Sequence, residues 1–185
     1  NYPAELAKFY TQQITWIDCE DSFQCTSFVV PIDYSNPSNG IMNIAVTRLQ
    51  GDQSFGNALI VNPGGPGGSG IEYAQAAEYI MSESLLRNFD VVGFDPRGVG
   101  QSTPIDCLSE FGNECAKKSA TTYAYIDTVS AAKDIDILRA LLKNGKLNWF
   151  GKSYGTFLGA TYAELFPQNV GRMMLDGAID PALSN

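Results

Sequence analysis

Short, uninterrupted apolar segments alternate with stretches of helical periodicity along this chain, and this alternation restricts its fold more than any other feature. Ala58 to Val61, Phe89 to Phe94 and Leu147 to Phe150 have the composition of strands that are buried on both faces. Thr128 to Asn144 repeats apolar residues every three or four positions, which predicts an amphipathic helix with its C-cap at Gly145. Strands that alternate with helices form a parallel sheet with helices on both faces. We therefore predict an α/β fold in one domain.

The remaining segments extend this sheet at both ends. Phe28 to Ile32 and Met42 to Leu49 flank a turn-rich stretch and indicate an antiparallel pair at the start of the chain. Ile71 to Ile80 and Thr156 to Phe166 have helical patterns, and Val170 to Leu175 predicts one more strand.

A serine bounded by two glycines lies between a predicted strand and a predicted helix. The segment Gly151-Lys152-Ser153-Tyr154-Gly155 matches the G-x-S-x-G pattern of a nucleophile elbow, in the strand–turn–helix context that this pattern requires. The sharp turn needs small neighbours, and it projects the hydroxyl of Ser153, the candidate nucleophile, above the sheet. Two alternatives stay open, in which Ser153 caps the following helix or pairs with Lys152 in a serine–lysine dyad.

A glycine-rich loop, residues 62–70, directly follows the first buried strand. An acyl-transfer enzyme needs backbone N–H donors aimed at the developing oxyanion, and glycines let the main chain approach that oxygen closely. The predicted donors are the amides of Gly65 and Tyr154.

The same loop also fits a different interpretation. Gly65, Gly67 and Gly70 have the spacing of a dinucleotide-binding fingerprint, and Asp95 ends the next strand, where a ribose-binding acid would lie. Pro66 removes one N–H from the loop, and this interpretation leaves the serine elbow unexplained. A plain structural turn is the third alternative.

Charge and histidine content exclude several function classes. Twenty acidic and twelve basic residues give a net charge of −8, which argues against nucleic acid or an anionic membrane as the main partner. The 185 residues contain no histidine, so they cannot supply an imidazole base or a zinc site of the usual kind. We predict no metal and no cofactor.

The four cysteines form two close pairs, Cys19 with Cys25 and Cys107 with Cys115. Neither pair has the spacing of a zinc knuckle or a thioredoxin motif, so two local disulfides are predicted, with four reduced thiols as the alternative. Disulfides imply an extracytoplasmic protein. Because the chain opens on Asn1-Tyr2-Pro3 without a basic, apolar leader, we expect its signal peptide to have been removed. No apolar run approaches the about 20 residues of a membrane span.

Charged residues outside the elbow have structural interpretations. Arg97, just after a predicted strand, is expected to brace the loops around the site rather than to contact substrate. Asp134, Asp136 and Arg139 on the long helix are expected to form a solvated, ion-paired face.

Several of these motifs occur together in a fixed order, and with them the chain resembles the N-terminal part of an α/β-hydrolase of the secreted tripeptidyl aminopeptidase and prolyl iminopeptidase-like group. The matching segments are Val30-Pro31-Ile32-Asp33-Tyr34, Asn62 to Gly70, Asp95 to Ser102, Gly151 to Thr156, Leu175-Asp176-Gly177 and Asp180-Pro181. They extend over nearly the whole chain from about Trp16 onward.

The resemblance implies a divided site. Ser153 would attack a carbonyl while the Gly65 and Tyr154 amides stabilise the oxyanion, and the acid and then the histidine would follow later in chain order. Residues 1–185 would be the N-terminal portion of one α/β-hydrolase domain, truncated near the sixth strand and lacking the cap and the C-terminal strands. A second polypeptide is expected to carry the missing acid and histidine. Asp176 is the alternative acid.

The predicted function is a secreted serine hydrolase, inactive without the missing acid and histidine, that releases short peptides or single residues from peptide N-termini. A carboxylic ester hydrolase on the same scaffold is the first alternative, because the elbow and the oxyanion loop serve both peptide and ester substrates. A non-catalytic binding domain is the second.

Overall fold

The computed structural model describes residues 2–104 and 122–180. Within these residues, seven strands form one sheet. They are β1 (Ile17–Asp18), β2 (Phe23–Pro31), β3 (Ile41–Leu49), β4 (Ala58–Asn62), β5 (Asp90–Phe94), β6 (Leu147–Lys152) and β7 (Val170–Asp176). The α-helices of the same residues are α1 (Ala7–Tyr10), α2 (Gly70–Gln75), α3 (Ala77–Ile80), α4 (Glu83–Asn88), α5 (Thr128–Leu141) and α6 (Tyr154–Leu165).

The sheet has a parallel half and an antiparallel half. Its strand order is β1-β2-β3-β5-β4-β6-β7. Strands β1, β2, β3 and β5 pair antiparallel, whereas β5, β4, β6 and β7 pair parallel. The predicted antiparallel start and the parallel core are both confirmed. Every residue of β4 and β5 is buried, which explains why these strands read as continuous apolar runs.

Helices cover the two faces of the sheet and bury two apolar clusters. On one face, α1, α5 and α6 pack over the larger cluster, in which Trp149 of β6 lies with Ile135 and Tyr162. On the other face, α2 and α3 pack over a smaller cluster that contains Phe150. Trp149 and Phe150 are consecutive residues, so the strand alternates between the two helical layers.

Two predicted helices differ from those observed. The predicted helix over 71–80 is divided at Ala76 into α2 and α3. The long helix α5 ends at Leu141, so the C-cap predicted at Gly145 is wrong. Lys143 adopts a positive φ of 59°, and the Asn144 side chain bonds to the backbone N–H and C=O of Ala58 on β4. These tertiary bonds fix the turn earlier than the sequence pattern indicates.

The predicted solvated face of α5 is also wrong. Asp134 and Asp136 are buried, with exposed fractions of 1% and 3%. Asp136 accepts hydrogen bonds from the Tyr10 and Tyr162 hydroxyls, at 2.9 and 2.8 Å, and from Asn169. It also pairs with Arg139, as predicted, at 2.8 Å. One carboxylate thereby joins the N-terminal segment to α5, α6 and the turn before β7.

The first predicted disulfide is present. Cys19 and Cys25 are bonded, which ties the end of β1 to its neighbour β2. The second predicted pair, Cys107 and Cys115, lies outside the described residues. Over residues 2–104 and 122–180, none of the helices is long and apolar enough to cross a membrane.

Candidate active site

Ser153 lies at the sharp turn between β6 and α6, with its side chain exposed. Its backbone has φ 53° and ψ −123°, a conformation that costs a non-glycine residue energy and that recurs at functional sites. The Ser153 N–H donates to the Asp176 carbonyl at 2.9 Å, which helps to hold the turn. The flanking glycines are required, because a Cβ on Gly151 would overlap the Gly155 carbonyl and one on Gly155 would lie 2.7 Å from the Asn62 carbonyl oxygen.

The Ser153 hydroxyl is not used as a helix cap. Among the described residues, its side chain makes no capping hydrogen bond to α6. The Ser153 carbonyl instead accepts from the Thr156 N–H and hydroxyl, at 2.8 and 2.7 Å. No hydrogen bond within the described chain joins Ser153 to Lys152, which is also exposed. The capping alternative is therefore wrong, and the hydroxyl remains available.

The glycine-rich loop packs directly against this turn. A Cβ on Gly64 would overlap the Lys152 carbonyl oxygen and would lie 2.8 Å from the Tyr154 nitrogen and 3.1 Å from the Ser153 Cβ. Gly64 has φ +93°, and its N–H donates to the Asn62 Oδ1 at 3.0 Å. The absence of a side chain and the left-handed backbone are thus both needed where the loop meets the elbow.

Two amides near Ser153 have no partner within the described residues. Tyr154 is the first residue of α6, and N–H groups in a first helical turn have no intrahelical acceptor. Gly65, next to Gly64, has φ +113°, and its N–H likewise has no acceptor among these residues. The fold thus brings the predicted nucleophile and the two predicted donor residues into one region. Such groups can stabilise a negative oxygen that forms beside Ser153.

Asp95 is occupied by the protein itself. Its side chain is buried and accepts from the Ser69 hydroxyl at 2.5 Å and from the Gln101 N–H at 2.8 Å. These bonds fasten the loop after β5 to the start of α2, with both carboxylate oxygens engaged. The dinucleotide interpretation needs this carboxylate to be free for a ribose, so the geometry does not support it.

Arg97 braces the loops below the site, as expected. It is 1% exposed and makes a bidentate pair with Asp134, at 2.7 and 2.8 Å. It also donates to the carbonyls of Pro31, Ile32 and Tyr125. Burial opposes the charge on Arg97, but Asp134 outweighs it and raises the pKa of the guanidinium, so Arg97 stays protonated.

Two residues that support the site, Asn62 and Thr128, were not predicted from the sequence. Asn62 ends β4 with its side chain buried, where it orients the glycine-rich loop through Gly64. The Tyr154 hydroxyl lies 2.7 Å from the Thr128 Oγ1, which links the elbow to the start of α5. A polar residue at the end of a buried strand was the signal available for Asn62. Nothing local in the sequence indicates the second bond, because its partners are 26 residues apart.

Asp176 contacts the elbow through its backbone carbonyl, and its side chain is exposed. Burial, with a smaller contribution from the Asp176 charge, raises the pKa of Tyr73 on α2.

Within the described residues, no cluster of three or more cysteine, aspartate or glutamate side chains could hold a metal ion.

Comparison with known proteins agrees with this architecture. A family model described as "alpha/beta hydrolase fold" matches residues 57–185. Serine protease Hip1 of Mycobacterium tuberculosis H37Rv is 35% identical over 92% of this chain and 40% of its own length. Tripeptidyl aminopeptidase of Streptomyces coelicolor is 35% identical over 91% of this chain and 38% of its own length. Carboxylesterase B of M. tuberculosis H37Rv is 36% identical over 93% of this chain and 41% of its own length.

Solved structures share the fold at lower identity. Cfl2 from Burkholderia cenocepacia superposes with a TM-score of 0.56 at 15% identity, over 92% of this chain and 49% of Cfl2. A proline iminopeptidase-related protein from Thermus thermophilus superposes with a TM-score of 0.53 at 18% identity, over 89% of this chain and 44% of that protein. The chain spans about 40% of the length of the curated relatives that it matches. Sequence, strand order and superposition agree, and the chain belongs to the α/β-hydrolase fold family.

Proposed function

We propose that this chain supplies the nucleophile and the oxyanion hole of a serine hydrolase, and that residues 1–185 form the N-terminal portion of one α/β-hydrolase domain. One observation carries the proposal: Ser153 is exposed, held in a strained backbone conformation, and packed against a glycine loop beside two amides without described acceptors. Strain of this kind persists only where the surrounding structure imposes it.

In the proposed mechanism, the Ser153 Oγ attacks a substrate carbonyl carbon while a general base takes the hydroxyl proton. The Gly65 and Tyr154 N–H groups stabilise the negative carbonyl oxygen of the tetrahedral intermediate. As this intermediate collapses, the protonated base gives its proton to the leaving group, the bond to that group breaks, and an acyl-enzyme remains on Ser153. Water then attacks the acyl carbon through a second tetrahedral intermediate, and hydrolysis releases the acid and regenerates the serine.

The general base must come from outside these 185 residues if it is a histidine, because they contain none. The matched relatives are longer polypeptides, of which this chain spans about 40%. A separate second polypeptide has no support among them. We place the histidine and its acid partner in further residues of the complete protein.

Peptides are the favoured substrates, because two of the relatives are called a serine protease and a tripeptidyl aminopeptidase. An ester hydrolase is the second candidate, because a relative that is 36% identical is called a carboxylesterase. An extracytoplasmic location is proposed from the Cys19–Cys25 disulfide, since disulfides persist in oxidising compartments.

A fluorophosphonate probe tests the proposed nucleophile in the complete protein. We expect the wild type to be labelled, Ser153→Ala to be unlabelled, and the exposed control Ser38→Ala to be labelled normally. Both variants should keep the wild-type circular dichroism spectrum. An unlabelled wild type, alongside a labelled reference hydrolase, would instead favour the non-catalytic binding domain.

Matched substrates separate the two enzymatic candidates. A peptidase should hydrolyse a tripeptide anilide with a kcat/KM comparable to that for a short acyl ester, whereas an esterase should hydrolyse only the ester. Ser153→Ala serves as the blank for both measurements.

A further inference from the structure

A cavity of about 530 Å³ lies beside Ser153, between the glycine-rich loop, the loop after β5 and the first turns of α5 and α6. Two of its lining residues, Gly64 and Tyr154, are in immediate contact with Ser153. Ser153 itself does not line the cavity, which adjoins the proposed nucleophile through these two neighbours. Its volume falls within the range of about 300–1,000 Å³ typical of small-ligand sites.

Apolar side chains from separate elements form most of the cavity wall, and the polar residues Asn62, Arg97, Asp127 and Thr128 line the remainder. Val99 lies on the loop after β5, Ile126 precedes α5, and Leu158 belongs to α6. Pro66 of the glycine-rich loop, Pro96 and Ala131 are further apolar residues of the wall. The apolar part of this wall favours contact with a hydrocarbon group.

Hydrogen bonds hold the walls in place. The loop that carries Val99 is fixed by the buried Arg97–Asp134 pair, and the Arg97 guanidinium also binds the Tyr125 carbonyl, next to Ile126. The Tyr154 hydroxyl is bonded to Thr128 at the start of α5. A preorganised cavity of this kind can discriminate between substrates, because its shape does not adapt at low cost.

We propose that this cavity receives an apolar side chain on the acyl side of the scissile carbonyl, and that Val99, Ile126 and Leu158 determine which side chain is accepted. The inference rests on the proposed function. The acyl side is assigned because the leaving group must depart toward the acid that protonates it. That acid is proposed above to lie in further residues of the complete protein, so the leaving group is placed toward those residues and the acyl side chain in this cavity.

The experiment uses the complete protein and anilide substrates that differ only in the acyl-side residue, which is Gly, Ala, Leu or Phe. If the anilides are not cleaved, esters with the same four acyl-side residues replace them. Val99→Trp fills the cavity and should lower kcat/KM for Leu and Phe by about tenfold or more while leaving Gly within about twofold, since one pocket contact changes discrimination by factors of that size. Ile126→Ala enlarges the cavity and should shift the preference from Leu toward Phe.

The control is Val129→Trp, which adds the same side chain at an exposed position of α5 outside the cavity. It should leave the substrate preference unchanged. If both cavity variants label normally with a small fluorophosphonate yet retain the wild-type preference, the inference is overturned and the proposed function stands. If Val99→Trp blocks the probe, the substrate preference of Ile126→Ala tests the inference: a shift from Leu toward Phe supports it, and an unchanged preference overturns it. An unlabelled wild type refutes the proposed function itself.

Discussion

Ser153 keeps its strained backbone because three glycines allow other main-chain segments to approach it. Gly151 lets β6 approach α6, Gly155 lets α6 approach Asn62 at the end of β4, and Gly64 lets the glycine-rich loop touch the turn itself. An added methyl group at any of these positions would meet backbone atoms, which cannot move as a side chain can. The conformation of the candidate nucleophile is therefore fixed by contacts on both sides of it.

Gly64 and Gly67 provide a matched pair for testing this contact. Both have a positive φ, +93° and +97°, but a Cβ on Gly64 meets the elbow, whereas one on Gly67 has nothing within 4 Å. Gly67→Ala should lower the free energy of unfolding by about 1–2 kcal/mol from backbone strain alone. Gly64→Ala should cost more and slow fluorophosphonate labelling by about a hundredfold, since small displacements at a reacting atom have effects of that size.

Urea unfolding and labelling rates of the two variants in the complete protein check this prediction. Equal labelling rates in Gly64→Ala and Gly67→Ala would show that the loop does not position Ser153.

Whether a residue's role could be predicted depended on how far away its partners lie in the sequence. Ser153 and its flanking glycines are adjacent, so a local pattern revealed them. The burial of Asp136 depends on Tyr10, which is 126 residues away, and that of Asp134 on Arg97, which is 37 residues away. Charged residues on a helix ordinarily face solvent, so no local pattern indicates these pairings.

At the scale of elements, α5 is tied to three other parts of the fold through two buried carboxylates. Asp134 binds the loop after β5 through Arg97, and Asp136 binds the N-terminal segment and α6 through two tyrosines. Burial and the Asp136 carboxylate raise the pKa of the Tyr10 and Tyr162 hydroxyls, so both remain donors. The helix is thus held by hydrogen bonds to charged groups as well as by apolar contacts.

The Asp136 network predicts a specific dependence of stability on pH. Burial opposes the charge on Asp136, but Arg139 and the tyrosine hydroxyls outweigh it and lower its pKa below the ordinary value. The charged carboxylate therefore stabilises the fold above about pH 4, and this contribution is lost as the pH falls through the lowered pKa. Asp136→Asn should be about 2–3 kcal/mol less stable at pH 7 and should lose less stability than the wild type on acidification.

Urea unfolding of the complete protein at pH 7, 5, 4 and 3 measures this effect. The control Asp52→Asn changes an exposed carboxylate and should leave the free energy of unfolding at pH 7 within about 0.5 kcal/mol of the wild type. A steeper acid loss in Asp136→Asn than in the wild type would contradict the assignment.

The strands were predictable as elements, but the ends of the helices were not. Continuous apolar runs indicated β4, β5 and β6 because these strands are covered on both faces. The end of α5 is set instead by Asn144, whose side chain binds Ala58 at the start of β4. Tertiary bonds of this kind override local propensity.

At the scale of the whole molecule, β7 differs from the other parallel strands. Parallel strands are normally buried on both faces, yet Met174 is 49% exposed within the described residues and Leu175 is also exposed. A groove of about 600 Å³ beside β7 is lined by Leu59, Phe89 and Met174. An apolar face of this extent on a sheet edge favours contact with further protein over solvent.

The final prediction concerns what covers β7 in the complete protein. Met174→Lys places a charge on this face, and the matched control Ile41→Lys places one on β3, where Ile41 is 55% exposed. If further residues of the protein pack on β7, Met174→Lys should lower the free energy of unfolding by about 2 kcal/mol or more, because a buried charge must be desolvated, while Ile41→Lys should stay within about 0.5 kcal/mol. Urea unfolding of both variants measures the difference. Equal, small effects would show that β7 faces solvent, because only a covered position makes lysine costly.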